Sequence, residues 1–328
     1  MAAIVAYRII KTTKMKKLCF LLIITLFVLP VCAQSVKWSP EDVKLLTKKW
    51  AGERTPDGRP KVSDDLLERL KKVGIEELWE FLKAKGYENQ FENFSSLYEN
   101  EWIILHPEQV MTGRALTAQF MPMRFDFDDY LQEVGKSQKI DRVNNALPIS
   151  ALSEGDIYVA DAYGKIADGT LMGATVGGTA YKNSKRGVIL NGSVRDLADL
   201  LKIEGFNGWI RGHDPSSISG MVCASVNAPI RIGRVTVLPG DAVLATKGGV
   251  IFIPPHLLEE AVISFELTDL RTTFNQQRRE GKIANNTDFR AWLNQQTNLP
   301  MSKAALDAYF SKQAEQQANP QPPRSQRQ

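Results

Sequence analysis

Gly187-Val188-Ile189-Leu190-Asn191-Gly192-Ser193-Val194-Arg195-Asp196 is the stretch from which the rest of this chain can be read. Three apolar residues between a glycine and an Asn-Gly pair read as a buried strand entering a tight turn. The turn delivers a cation and an anion side by side, and a helix is expected from Leu197 to Ile203. In α/β sheets, ligands gather at the carboxyl ends of strands, which makes Arg195 and Asp196 candidate site residues. The plainer reading is that Asp196 caps the helix and Arg195 pairs at the surface.

Further strand candidates lie on both sides: Ala115–Met121, Ile157–Asp161, Gly208–Ile210, Val226–Ile230, Val235–Val237, Ala242–Ala245 and Val250–Ile253. A helical stretch, Gly173–Tyr181, falls among them. Strand–helix alternation followed by closely spaced strands implies a layered α/β domain with a mixed sheet. Pro239-Gly240-Asp241 and Lys247-Gly248-Gly249 suit hairpins.

The flanks read as helical additions. Ser39-Pro40-Glu41-Asp42 carries a capping residue, a proline at the first helical position and acids in the first turn. Ser63-Asp64-Asp65 caps a second helix with Leu66, Leu67, Leu70 and Val73 at helical spacing and Gly74 as its stop. Ile75–Lys85 reads as a third helix, and the aromatic run from Tyr87 to Trp102 as core packing. After Phe265 the chain turns polar and helical, with Phe274, Phe289, Trp292 and Leu293 positioned to pack on the core or on a neighbouring subunit. Residues 312–328 are so poor in apolar side chains that a disordered tail is expected. The expected divisions are 1–33, a helical segment 34–109, an α/β core 110–265, a helical extension 266–311 and a tail 312–328.

The first residues carry a targeting signature. Lys14, Lys16 and Lys17 precede the apolar run Leu18–Val28, and Val31-Cys32-Ala33 places small residues at a cleavage site after Ala33. That is the anatomy of a secretory signal peptide, so an exported protein is expected, periplasmic or secreted. The run is short for a membrane span, which needs about 20 residues. No later stretch is apolar enough to span one. The full chain has 41 basic and 37 acidic residues. The leader holds five of the basic ones and no acid, leaving 36 against 37. Such a near-neutral chain carries no electrostatic footprint for nucleic acid. Outside the leader the one cysteine is Cys223, which excludes an intramolecular disulfide there. With His106, His213 and His256 far apart in sequence, a standard structural zinc site is excluded as well.

The second candidate element is Asp168-Gly169-Thr170-Leu171-Met172-Gly173-Ala174-Thr175-Val176-Gly177-Gly178. Glycines here let backbone N–H groups approach a ligand, and the helix that follows presents its positive end to a carboxylate or phosphate. Neither the phosphate-loop pattern nor the dinucleotide fingerprint fits its spacing. The plainer reading is close packing of helix on sheet. His213 and Asp214 follow a strand and could face the same place, although a structural histidine is the simpler reading.

Taken in order, Gly155–Asp161, Gly169–Gly173, Gly187–Asp196, and Pro239–Asp241 with Gly249–Pro254 resemble the RraA-like family, named for the regulator of ribonuclease activity A. Ser63-Asp64 and Gly113-Arg114-Ala115-Leu116-Thr117 resemble the family's opening helix and first strand. The family includes the 4-hydroxy-4-methyl-2-oxoglutarate aldolases, which also decarboxylate oxaloacetate. The resemblance implies a layered β/β/α swivelling-domain core, assembled as a trimer or dimer of trimers with sites between subunits. It implies that Asp196 holds a divalent cation, Mg²⁺ first, largely through ordered waters. It implies that Arg195 binds the substrate carboxylate or enolate oxygen, and that the backbone of Gly169, Thr170, Leu171 and Met172 cradles the substrate carboxylate.

The chemistry implied is carbon–carbon cleavage next to a 2-oxo group, by a metal-dependent aldolase or decarboxylase acting on a small 2-oxo acid. A chelated cation and Arg195 would share the charge of the pyruvate enolate. No Schiff-base lysine is required, and Lys165 reads as a surface residue. Thr170 stands where many members carry an acidic or amide side chain, and Asn191 where aspartate is common. The further carboxylate that a neighbouring subunit lends in some aldolases has no match here. The alternative is a non-catalytic exported binding protein that keeps the fold.

Overall fold

The computed structural model describes residues 35–94 and 102–318. The expected signal segment, its cleavage point after Ala33, residues 95–101 of the aromatic run and residues 319–328 lie outside the described residues. In chain order, α1 (Pro40–Leu46), α2 (Asp64–Leu70) and α3 (Ile75–Ala84) precede β1 (Phe91–Glu92), β2 (Ile103–Ile104) and β3 (Met111–Pro122). Then come α4 (Phe125–Ser137), α5 (Ala146–Ser150), β4 (Asp156–Asp161), β5 (Thr170–Met172), α6 (Ala174–Ser184), β6 (Val188–Val194), α7 (Leu197–Leu200) and β7 (Gly208–His213). β8 (Met221–Val226), β9 (Ile230–Ile232), β10 (Val235–Val237), β11 (Ala242–Thr246) and β12 (Gly249–Ile253) lead to α8 (Pro255–Arg279), α9 (Phe289–Gln295) and α10 (Lys303–Ala318).

The expected mixed sheet is present. Its order is β1-β12-β11-β3-β4-β6-β7-β2, with β5 beside β6 and β8 beside β3. β3, β4, β6 and β7 run parallel, as does β5 against β6. Each central strand is buried on both faces, and its side chains alternate between two cores. Leu116, Tyr158, Ala160, Val188 and Leu190 pack with Leu131, Ile149 and Ala180 of the helices. Ala115, Ile157, Val159 and Ile189 pack with Ile230, Ile232, Val235 and Val237 of the separate β9–β10 ribbon. Helices, sheet and ribbon therefore form three layers.

The first two caps fold as their residues dictate. Ser39 Oγ accepts from Asp42 N at 3.1 Å and Ser63 Oγ from Leu66 N at 3.2 Å. The segment between them is fastened by buried charge. Arg59 Nη2 donates to Asp156 Oδ2 at 2.8 Å and Arg59 Nε to Asp57 Oδ2 at 2.9 Å. The segment 34–109 is not helical throughout, because β1 and β2 join the sheet against β12 and β7.

Four local expectations are corrected. Val226–Ile230 is not one strand: Asn227 takes a left-handed φ of 59° and Pro229 has no N–H, so the chain breaks between β8 and β9. Pro239-Gly240-Asp241 does not close a hairpin. Gly240 N bonds to Ala115 O and Ala115 N to Asp241 O, which hands the chain from the ribbon to the sheet. Lys247-Gly248-Gly249 does join a hairpin, β11 to β12. The helix expected over Leu197–Ile203 ends at Leu200, and residues 312–318, expected to be tail, continue α10. Alanine, glutamine and lysine there are good helix formers, and the helix has a partner. Lys312 Nζ and Gln313 Nε2 reach the buried Glu260 carboxylate, as does Lys85 Nζ. Phe274, Phe289, Trp292 and Leu293 pack with Met301 and Leu306 in a small core of their own.

Candidate functional site

The strand in β6 runs further than its Asn-Gly pair implies. It continues to Val194 with a register shift between Leu190 and Ser193. Arg195 N then donates to Met172 O at 2.9 Å, which sets Arg195 beside the end of β5. Asp196 follows with φ 55° and ψ 40°, a left-handed conformation that aspartate tolerates better than most residues. It occupies the cap position of α7, yet its side chain makes no capping bond there. The carboxylate reaches the neighbouring helix instead, and Asp196 Oδ2 accepts from Ala174 N at 3.2 Å. The simple capping role is thus overturned.

Arg195 and Asp196 face each other, with Nε 3.6 Å from Oδ2, and both side chains are about half exposed. Beneath them lies Gly173, the cap residue of α6, which can offer no side-chain cap. A Cβ at position 173 would sit 2.3 Å from Asp196 Oδ2 and 2.9 Å from Arg195 Nε. Its φ of −118° is open to any residue, so close approach and not turn geometry calls for glycine here. The first N–H groups of a helix have no acceptor within it. Ala174 gives its N–H to Asp196, and those of Thr175 and Val176 follow at the positive end of the helix.

The expected glycine turn is corrected. Thr170–Met172 forms a strand paired with Ser193 and Val194, and Thr170, Leu171 and Met172 are buried. Gly169 has its N–H on Ile166 O, and a Cβ there would meet Lys165 O at 2.3 Å. Gly169 therefore serves chain packing. Thr170 Oγ1 donates to Ser216 O at 2.6 Å, and Leu171 O accepts from Asn145 Nδ2 at 3.2 Å. Thr170-Leu171-Met172 is only three residues long with a single β-branched side chain, too little to read as a strand without its partner β6.

The segment after β7 borders the site, and of its residues the sequence points to Asp214 but not to Ser216 or Ser217. Asp214 Oδ1 accepts from Ser216 N at 2.9 Å, and the hydrogen bonds from Ser216 hold its carboxyl below the usual carboxylate range. Ser217 Oγ accepts from Arg195 Nη1 at 2.9 Å. Asp-Pro-Ser-Ser is a legible turn signal, but its partner on another strand is not. His213 is exposed. Lys165 donates its Nζ to Ser219 O at 2.6 Å. Asn191 belongs to a second polar row: its Nδ2 donates to the buried Asp161 Oδ1 at 2.7 Å, and Gln119 Nε2 donates to Asp161 Oδ2 at 2.9 Å. Cys223 is buried and its thiol is pushed up to about 12 by burial, which makes it a poor nucleophile. A cavity of about 400 Å³ lined by Asn275, Arg278, Arg279 and Asn285 lies in the C-terminal extension and shares no residue with this site.

Among the described residues, no three His, Cys, Asp or Glu side chains converge as a metal cage. Asp196 fits a cation that keeps most of its waters, since it offers a half-exposed carboxylate.

The model of the RraA-like family, Aldolase/RraA, matches residues 61–252. The chain belongs to the RraA-like family. Its curated relatives include Protein DlpA of Legionella pneumophila, 27% identical over 212 residues, which are 63% of this chain and 31% of DlpA. A Shewanella oneidensis protein named "Putative 4-hydroxy-4-methyl-2-oxoglutarate aldolase" is 32% identical over 96 residues, 29% of this chain and 57% of that protein. The chain thus spans about a third and just over half of these two relatives. Among solved structures, Streptomyces coelicolor RraAS2, described as an unusual member of the RNase ES inhibitor RraA protein family, shares the fold. It has a TM-score of 0.53 at 24% identity, over 66% of this chain and all of that one. The family match takes in the described site and ends at Phe252, so α8, α9 and α10 lie beyond the RraA-like portion.

Proposed function

We propose that this RraA-like protein is a divalent-metal-dependent lyase that cleaves a carbon–carbon bond next to the 2-oxo group of a small oxo acid. The supporting observation is the convergence of the Arg195 guanidinium, the Asp196 carboxylate and the N-terminus of α6 above Gly173. The distant aldolase relative supports the same class. Arg195 would bind the substrate carboxylate, and the fixed positive charge would favour the negative charge that develops on cleavage. The first turn of α6 would orient the same end of the substrate. Asp196 would hold the cation, Mg²⁺ first, which when bound supplies a Lewis acid toward the 2-oxo oxygen. In decarboxylation of oxaloacetate the bond to the departing carboxylate breaks, CO₂ leaves, and the electron pair remains on the carbon that takes up a proton to give pyruvate.

The proposal includes export, read from the leader, and assembly as a homotrimer or dimer of trimers. The half exposure of Arg195 and Asp196 leaves room for a second subunit to wall the site. The test is pyruvate release by the purified protein from oxaloacetate or a 4-hydroxy-2-oxo acid with Mg²⁺, above a protein-free blank, against Asp196→Asn. A large loss in the variant is expected. Equal rates would remove Asp196 from the mechanism, and no turnover by the parent would remove the lyase.

A further inference from the structure

The segment Asp214–Gly220 is fastened at both ends and leaves one hydroxyl on the active guanidinium. Asp214 N donates at 3.0 Å to the carbonyl of Val194, the residue that precedes Arg195. Ser216 is gripped twice, with Oγ accepting from Asp168 N and its carbonyl from Thr170 Oγ1, each at 2.6 Å. Ser219 N donates to Asp168 O at 2.9 Å, its carbonyl accepts from Lys165 Nζ, and Gly220 O accepts from Met123 N at 2.9 Å. Pro215 removes one backbone freedom from the same segment. Ser217 therefore presents its Oγ from a rigid support.

Arg195 needs such a support. Its side chain is about half exposed, and a long side chain loses rotamer freedom when it is fixed. Asp196 Oδ2 lies 3.6 Å from Nε at one edge of the guanidinium, and Ser217 Oγ accepts from Nη1 at 2.9 Å at another. Nη2 makes no hydrogen bond among the described residues and is the edge left for a ligand.

We propose that Ser217 is a positioning residue that holds the Arg195 guanidinium with its Nη2 edge toward the substrate carboxylate, and that Ser216 anchors it through Asp168 and Thr170. This rests on the lyase reading. It assigns Ser217 an effect chiefly on carboxylate binding, and only a small one on turnover, since Arg195 keeps its charge without the bond from Nη1. A lost hydrogen bond to a charged group of about 1.5 kcal/mol corresponds to roughly tenfold in binding.

The experiment titrates the whole protein with oxalate in the presence of Mg²⁺, and measures KM and kcat for oxaloacetate. The parent is compared with Arg195→Ala, Ser217→Ala, Ser217→Thr and the double variant Arg195→Ala/Ser217→Ala. Expected are a roughly three- to tenfold weaker oxalate affinity and higher KM for Ser217→Ala with kcat within twofold. Ser217→Thr should restore affinity, and the double variant should match Arg195→Ala alone. Thermal midpoints of the serine variants should match the parent. If Arg195→Ala weakens oxalate and Ser217→Ala does not, this inference fails and the lyase reading stands. Additive losses in the double variant also overturn it. If the parent neither binds oxalate nor turns over, the lyase reading fails and takes this inference with it.

Discussion

Gly173 and Asp196 share one small volume: a Cβ on the glycine would lie 2.3 Å from Oδ2 of the carboxylate. The backbone at 173 is extended and open to alanine, so the contact, not the chain, makes glycine necessary. Gly173→Ala should push the Asp196 and Arg195 side chains, both half exposed, away from their present positions. Displacement of a site group by about 1 Å can lower turnover by about 100-fold. A fall of about 10- to 100-fold in pyruvate release is expected, with stability within about 1 kcal/mol of the parent. Turnover equal to the parent in an otherwise stable variant would separate this glycine from the chemistry.

Much of this architecture is legible in the residues, and the failures share a cause. The Ser39 and Ser63 caps, the buried strand ahead of Arg195 and the Lys247-Gly248-Gly249 hairpin each depend on neighbours a few residues away. Local chemistry suffices for them. Thr170–Met172 becomes a strand because β6 lies beside it, and residues 312–318 stay helical next to Glu260 and Lys85. Those partners are distant in sequence. Arg195 and Asp196 can be picked out from the strand end, but their contacts with Ser217 and Ala174, 22 residues away in each case, follow only from the fold.

Asp241 should make stability depend on pH. It is buried at the turn between ribbon and sheet, and burial pushes its carboxyl up to about 8 against the opposing hydrogen bond from Leu238 N. In the unfolded chain it ionises near pH 4. Between those values the folded protein binds the extra proton, so stability falls as pH rises, by at most about 1.4 kcal/mol per unit, and levels off above about 8. Asp241→Asn keeps an acceptor for Leu238 N and loses the proton. Urea midpoints at pH 5 and pH 8 should fall for the parent and change less for the variant. Parallel changes would assign the pH dependence elsewhere.

Arg59 and Asp156 form an ion pair at 2.8 Å with both side chains about 1% exposed. Removing one partner leaves a buried charge with too little compensation, which typically costs about 3–5 kcal/mol. Arg59→Ala should lie in that range by chemical denaturation. Replacing both by leucine should cost less than the sum of the single replacements, since the second change removes the stranded charge. Additivity would show that the two groups are not energetically coupled.

The C-terminal helix should be held by one carboxylate. Burial pushes Glu260 up, but hydrogen bonds from Lys312 and Lys85 outweigh it and keep the carboxyl below its ordinary range. A depressed carboxyl contributes stability that is present above its unfolded value, near 4.3, and is lost as pH falls through the folded value. Lys312 is 45% exposed and Lys85 23%, while Glu260 is 4%, so each lysine alone is screened by water and the glutamate is not. Lys312→Ala should therefore cost less than about 1 kcal/mol. Glu260→Gln releases both lysines at once and should cost more. Hydrogen exchange over residues 303–318 reads the difference. It should rise sharply in Glu260→Gln and in the parent below about pH 4, and only slightly in Lys312→Ala. Equal protection in all three proteins at neutral pH would mean that the packing of Leu306 and Met301 in the small apolar core holds α10 without help from charge.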